Sequence, residues 1–176
     1  MAKTSYYVAV SLDGFLARED GVVDWLSNYT NPFETPYDYE PFYQTVSAVV
    51  MGRKTYDTVL GFGKYPYQGK PGLVLSKDEG FQVNESGVES VSLNWKEKLE
   101  AMKASVEGRV WVVGGGEVAN LLVKENLLDE IILTIIPETI GIGISWLGKS
   151  PLSAGWVLSE HYLSKNGVAQ LVYSKR

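Results

Sequence analysis

Three corners of the sequence carry glycine, cations or hydroxyls, the groups that suit a phosphate. In the first, the apolar run Val110-Trp111-Val112-Val113 stops at Gly114, Gly115 and Gly116, and Val118, Leu121 and Leu122 then recur at helical spacing. The pattern predicts a buried strand turning through glycine into a helix. Glycine lacks a Cβ and tolerates positive φ, so a ligand can approach the backbone closely. The helix start, with Glu117 and Val118, offers unpaired N–H groups and a partial positive charge. Gly114, Gly116 and Ala119 also satisfy the dinucleotide pattern G-x-G-x-x-A. A Rossmann unit, however, places that turn early and an acidic residue about 20 positions further on. Here the glycines come late and Glu138 lies beside Pro137. The corner therefore reads as a nucleotide-phosphate site of another kind, and the alternative is a tight turn that binds nothing.

The second corner is Gly52-Arg53-Lys54-Thr55, directly after the apolar Ala48-Val49-Val50-Met51. Arginine suits bidentate phosphate contacts. Cations at a helix N-terminus oppose the macrodipole, and an anion between them relieves that; a solvated basic helix start is the alternative. The third corner is Leu75-Ser76-Lys77. For proton transfer the sequence offers Asp38. Thr35-Pro36-Tyr37-Asp38 matches a capping box with proline at the first helical position. Because Pro41 would disturb a helix begun that early, a second reading starts the helix at Pro41 and runs it through Phe42, Tyr43, Thr45 and Val46. Asp38 is then either a cap or a carboxylate held among aromatics. A single histidine (His161) and no cysteine argue against a zinc site and a Cys-His nucleophile.

The elements that position these corners follow from periodicity. Tyr6–Ser11 reads as a strand, followed by a loop through Asp13-Gly14 to Ala17 and a plain hairpin at Asp20-Gly21. Residues 28–41 hold Pro32, Pro36, Pro41, Tyr29, Phe33, Tyr37 and Tyr39, too apolar for a linker, and read as a pocket wall or an interface. Gly61 is the expected stop of the helix after Arg53. Short strands are expected over 81–93, and an amphipathic helix through Trp95, Leu99, Met102 and Val106. A long buried strand is expected over Leu127–Ile136, a loop over Pro137–Gly148, and a closing hairpin at Lys165-Asn166-Gly167. The sum is an α/β mixed sheet covered by helices, with three strand ends lining one groove.

Composition narrows the class. The 176 residues suit one domain spanning 1–176. Net charge −5 argues against a general nucleic-acid binder. No apolar run reaches the roughly 18 residues that a membrane span needs, and Met1–Ser5 lacks the apolar segment of a secretory signal, which makes cytoplasm the default expectation.

Taken together, Ala9-Val10-Ser11-Leu12-Asp13-Gly14-Phe15-Leu16-Ala17, Trp25, Val50-Met51-Gly52-Arg53-Lys54-Thr55-Tyr56, Leu75-Ser76-Lys77 and Val112-Val113-Gly114-Gly115-Gly116 resemble the dihydrofolate reductase superfamily. Ser11-Leu12-Asp13-Gly14, Asp24-Trp25-Leu26 and the stretch from Leu128-Asp129-Glu130 to Gly141-Ile142-Gly143-Ile144 are closer to the branch with the riboflavin-pathway (RibD C-terminal-like) reductase domain. The resemblance implies a mostly parallel mixed sheet with an antiparallel C-terminal hairpin, and NADPH lying extended across the strand ends. It places Gly114, Gly115, Gly116, Glu117 and Val118 at the pyrophosphate, Gly52, Arg53, Lys54 and Thr55 on phosphates, Ser76 and Lys77 on the adenosine side, and Ala9, Leu16 and Ala17 by the nicotinamide. It implies Tyr7, Trp25, Phe42 and Thr134 on the substrate side and Asp38 or Glu40 as the catalytic carboxylate. The implied substrate is a small pteridine or ribosylaminopyrimidine, and the implied assembly a homodimer. A nucleotide-binding sensor without turnover is the alternative from another class.

Overall fold

The computed structural model describes residues 1–29, 35–149 and 153–176. Chain order is β1 (Lys3–Ser11), β2 (Phe15–Ala17), a 3₁₀ turn (Asp24–Tyr29), α1 (Tyr39–Gln44), β3 (Val46–Gly52), α2 (Arg53–Gly61), β4 (Gly72–Leu75), β5 (Val88–Val91), α3 (Trp95–Ser105), β6 (Arg109–Gly114), α4 (Gly116–Lys124), β7 (Glu130–Ile136), β8 (Ile144–Ser145), β9 (Trp156–Leu163) and β10 (Ala169–Lys175).

Eight strands form one sheet in the order β5-β4-β3-β6-β1-β7-β10-β9. The six strands from β5 to β7 run parallel, and β10 and β9 close the sheet antiparallel. Parallel strands covered on both faces become continuous apolar runs, as in β3, where Val46, Ala48, Val49, Val50 and Met51 are all buried. Alternation along β1 divides the core. Tyr6, Val8 and Val10 join Leu99, Ala119 and Leu122 under α3 and α4, whereas Tyr7 packs with Phe42, Tyr56 and Trp111 under α1 and α2. None of the described helices is long and apolar enough to cross a membrane.

Several local expectations change. Helix α1 begins at Tyr39, neither at Pro36 nor at Pro41. Pro41 is tolerated because first-turn N–H groups have no intrahelical acceptor to lose. Asp38 takes the N-cap position with extended backbone, but its side chain makes no capping bond. Thr35 does the local work, its Oγ1 accepting the Tyr37 N–H at 3.1 Å. Helix α2 includes Gly61, and the left-handed residue that ends the segment is Gly63, at φ 127°. Only β5 forms within 81–93, and β7 starts at Glu130, not Leu127. The loop 137–148 contains β8, which pairs with β2, so Asp20-Gly21 closes a turn and not a two-stranded hairpin. The C-terminal hairpin forms as read, with Gly167 at φ 86°. Of the aromatic stretch 28–41, residues 30–34, with Asn31, Pro32 and Phe33 among them, lie outside the described residues. Tyr37 is buried and Tyr29 half-buried, so these two do not form an exposed interface.

Candidate functional site

In a parallel sheet all C-terminal strand ends meet at one edge. Strands β4, β3 and β6 are neighbours, so Ser76, Arg53 and Gly115 each follow a strand end along the same rim. The corner at β6 is bare: a Cβ on Gly114 or Gly115 would meet only the Thr55 side chain, whose Oγ1 would lie 3.7 Å away. Gly115 precedes α4, and the Gly114–Gly115 peptide is cis. Thr55, in the first turn of α2, thus faces the glycine corner. Arg53, two residues earlier, faces the other way, with Nη1 3.0 Å from Asp78 Oδ2 and its guanidinium 4.4 Å over Phe81. Lys54 and Lys77 are exposed at this rim. Two helix starts, three cations and two hydroxyls beside an uncovered glycine pair form a donor set suited to a long polyanion.

The other glycine of the corner has a different task. A Cβ on Gly116 would collide with the carbonyl of Ser145 and come within 2.7 Å of the Gly148 nitrogen. The space where its Cβ would stand is filled by the protein's own segment 145–148. Glu117 braces the same segment, its Oε1 accepting the Lys149 N–H at 3.2 Å, and Asn120 Nδ2 donates to the Leu147 carbonyl at 2.8 Å. Val118 is buried, and its N–H is bonded to the Gly115 carbonyl at 3.0 Å. It acts as a packing residue against Gly52, where a Cβ would stand 3.2 Å from its Cγ2.

The segment runs back to the loop after β1. Leu12 N–H donates to the Glu138 carbonyl at 2.7 Å, and Ala17 pairs with Ile144. Asp13 is the clasp. Its carboxylate accepts Ser11 Oγ–H at 2.6 Å, the Gly141 N–H at 2.7 Å and the Ile140 N–H at 3.1 Å. These hydrogen bonds, that of Ser11 foremost, hold its pKa below the ordinary carboxylate range. Ala17, expected with Leu16 by the nicotinamide, is thereby fixed beside Gly143 and, through 145–149, tied to the glycine corner. Sequence reasoning missed this clasp; Asp13-Gly14 reads as a turn signal alone.

The expected substrate-side residues occupy the α1 face of the sheet. Tyr7 stacks on Phe42 with ring centroids 4.2 Å apart. Ala9 pairs with Thr134 on β7. Asp38 sits half-buried at the start of α1, near enough to Tyr7 that its charge, after burial, helps push the phenol up to about 12. The structure therefore brings Asp38, Tyr7, Ala9 and Thr134 to one face. Glu40 is exposed in the first turn of α1. Phe42 and Trp25 are buried, Trp25 against Ile136 and Val168, and act as walls behind the site.

Gln170 holds this arrangement together. Buried on β10, its Nε2 donates to Thr134 Oγ1 and to the Tyr37 carbonyl, both at 3.1 Å, and its Oε1 accepts Thr35 Oγ1–H at 2.9 Å. One side chain so fixes the rotamer of Thr134 and pins the segment that presents Asp38. Tyr37 is anchored again by its O–H to Glu160 Oε1 at 2.7 Å.

Comparisons with known proteins bear out the fold. The uncharacterized protein YwjB of Bacillus subtilis (strain 168) is 37% identical over 143 residues, 81% of this chain and 80% of that protein. The crystal structure of a protein attributed to riboflavin biosynthesis in Shewanella sp. PV-4 superposes with a TM-score of 0.85 at 28% identity, over 100% of this chain and 99% of that one. Dihydrofolate reductase from Enterococcus faecalis, solved with NADP(H), shares the fold at a TM-score of 0.67 and 20% identity, over 99% of this chain and 96% of that one. Residues 70–169 match the family model described as the RibD C-terminal domain. That match covers more than half of the sequence and includes Ser76, the triple-glycine corner and Thr134, so the chain belongs to the RibD C-terminal domain family.

Proposed function

We propose that this protein is an NADPH-dependent reductase acting on a small planar heterocycle, a pteridine or a ribosylaminopyrimidine. The observation that carries the reading is the shared rim: Thr55 faces the bare Gly114–Gly115 corner, and Arg53 and Ser76 continue the same edge. The donor set fits a nicotinamide dinucleotide, whose anionic groups need amides, hydroxyls and cations in a row. When bound, the reduced dinucleotide supplies the hydride. The protein's own groups do the rest. Gly114, Gly115 and Thr55 leave room and offer polar contacts for phosphates, and Lys54 and Lys77 add charge. The clasped loop 11–17 holds Leu16 and Ala17 in place at the β1 end. Thr134, oriented by Gln170, presents its hydroxyl to a polar heterocycle edge. Asp38 stands as the proton donor for the reduced ring, beside a Tyr7 that stays neutral and able to donate a hydrogen bond. Positioning of this kind is worth up to about 7–11 kcal/mol of barrier in favourable cases.

The test has two stages. Tryptophan-fluorescence titration with NADPH should saturate, and mixing with pteridine or ribosylaminopyrimidine substrates should then consume the reduced-nicotinamide absorbance. Saturation without consumption, across both classes, would favour the sensor reading, and no saturation would remove both. The protein is also proposed to pair as a homodimer. The feature in favour is the edge strand β9, where Val157, Leu158 and Leu163 are exposed, and sedimentation of the purified chain decides it.

A further inference from the structure

The guanidinium that opens α2 is already committed. Arg53 Nη1 lies 3.0 Å from Asp78 Oδ2 and Nε lies 3.9 Å from Asp57 Oδ2, with Cζ 4.4 Å from the Phe81 ring centroid. Asp78 is held in turn. Its N–H donates to Ser76 Oγ at 3.1 Å, and its Oδ1 accepts the Gly80 N–H at 3.0 Å. One carboxylate oxygen is thus fixed by the turn after β4, and the other rests on Arg53. The rim carries its own anion at the place where Arg53, Ser76 and Lys77 gather.

The first turn of α2 divides two duties. Thr55 serves the glycine corner at the β6 end, and Arg53 serves the β4 end. A dinucleotide spanning the three strand ends with its pyrophosphate at Thr55 sets the adenosine ribose at Arg53. NADPH and NADH differ only there, by a 2′-phosphate against a hydroxyl. Resting on the reductase reading above, we propose that Asp78 is a specificity-determining residue that works against the 2′-phosphate. A 2′-phosphate would have to share Arg53 with Asp78, whose carboxylate already rests on Nη1 and repels it. A hydroxyl leaves the Arg53–Asp78 pair in place. Asp78 thereby lowers the discrimination in favour of NADPH that the three surrounding residues would otherwise give. The pair is half exposed, so the effect is moderate and salt-sensitive.

Direct titration of the whole chain with NADPH and with NADH, followed by tryptophan fluorescence or calorimetry, tests this without turnover. In Asp78→Asn the ratio of the NADH to the NADPH dissociation constant should rise by about fivefold, with NADH affinity nearly constant. A ratio unchanged within about twofold in Asp78→Asn, or parallel changes in both affinities, overturns the assignment while leaving the reductase reading intact. A wild-type chain that binds neither dinucleotide overturns the reductase reading, and this assignment with it.

Discussion

Asp38 and Glu40 lie two residues apart and have different surroundings. Asp38 is half-buried on the face that carries Tyr7 and Thr134, whereas Glu40 points to solvent. A proton donor must lie within reach of the reacting ring, and general acid catalysis contributes about 10²–10⁴-fold. Asp38→Asn should lower kcat by that order, while the NADPH dissociation constant stays within about twofold; Glu40→Gln should retain nearly full turnover. Steady-state rates beside fluorescence titrations check both. Gly116 carries a structural prediction. Its missing Cβ is occupied by the backbone of 145–148, and main chain yields less readily than a side-chain tip. Gly116→Ala should cost about 1–3 kcal/mol in urea denaturation, and Gly115→Ala less, because only the Thr55 side chain stands near.

The two loops clasped by Asp13 behave as one element. The hydrogen bonds from Ser11, Ile140 and Gly141 favour the ionised carboxylate, so the folded pKa lies below the unfolded value of about 3.9. The tether is complete above about pH 4 and is lost as pH falls through the folded pKa. Hydrogen exchange at Ile140 and Gly141 should accelerate below that point in the wild type, and at neutral pH in Asp13→Ala. Equal protection in the variant would show the clasp to be idle. Such couplings explain how much was legible beforehand. Strand–glycine–helix corners were readable because each rests on a dozen contiguous residues, and parallel pairing then aligns them without further information. Gln170 and Asp13 were not readable. The partners of Gln170 come from β7 and from Thr35–Tyr37, brought together only by strand pairing. Arg53 was readable as a cation but not as one half of a pair with Asp78, which lies 25 positions away.

The whole molecule stores an unusual amount of phenol in its interior. Tyr6, Tyr7, Tyr37, Tyr65 and Tyr67 all have pKa values pushed up by burial, Tyr7 to about 12 and the others further. An unfolded tyrosine titrates near about 10. The folded state therefore holds protons that the unfolded chain releases, and stability is full below about pH 10 and declines as pH rises through and beyond it. Denaturation midpoints measured from pH 8 to pH 11 should fall steeply over the last unit. The phenolate absorbance of these five rings should appear together with unfolding, not ahead of it. A midpoint flat across that range would mean that these rings are less sequestered than the packing indicates.

The sheet order has a consequence for biosynthesis. Strand β1 lies between β6 and β7, with Lys3 opposite Arg109 and Ser5 opposite Glu130. Both neighbours of an early strand are thus translated more than a hundred residues after it, and loop-closure entropy makes such distant pairings slow. While the ribosome is still extending the middle of the chain, β1 waits as an unpaired, tyrosine- and valine-rich ribbon. Nascent chains arrested before β7 should bind holdase chaperones, and release should coincide with the emergence of residues 130–136.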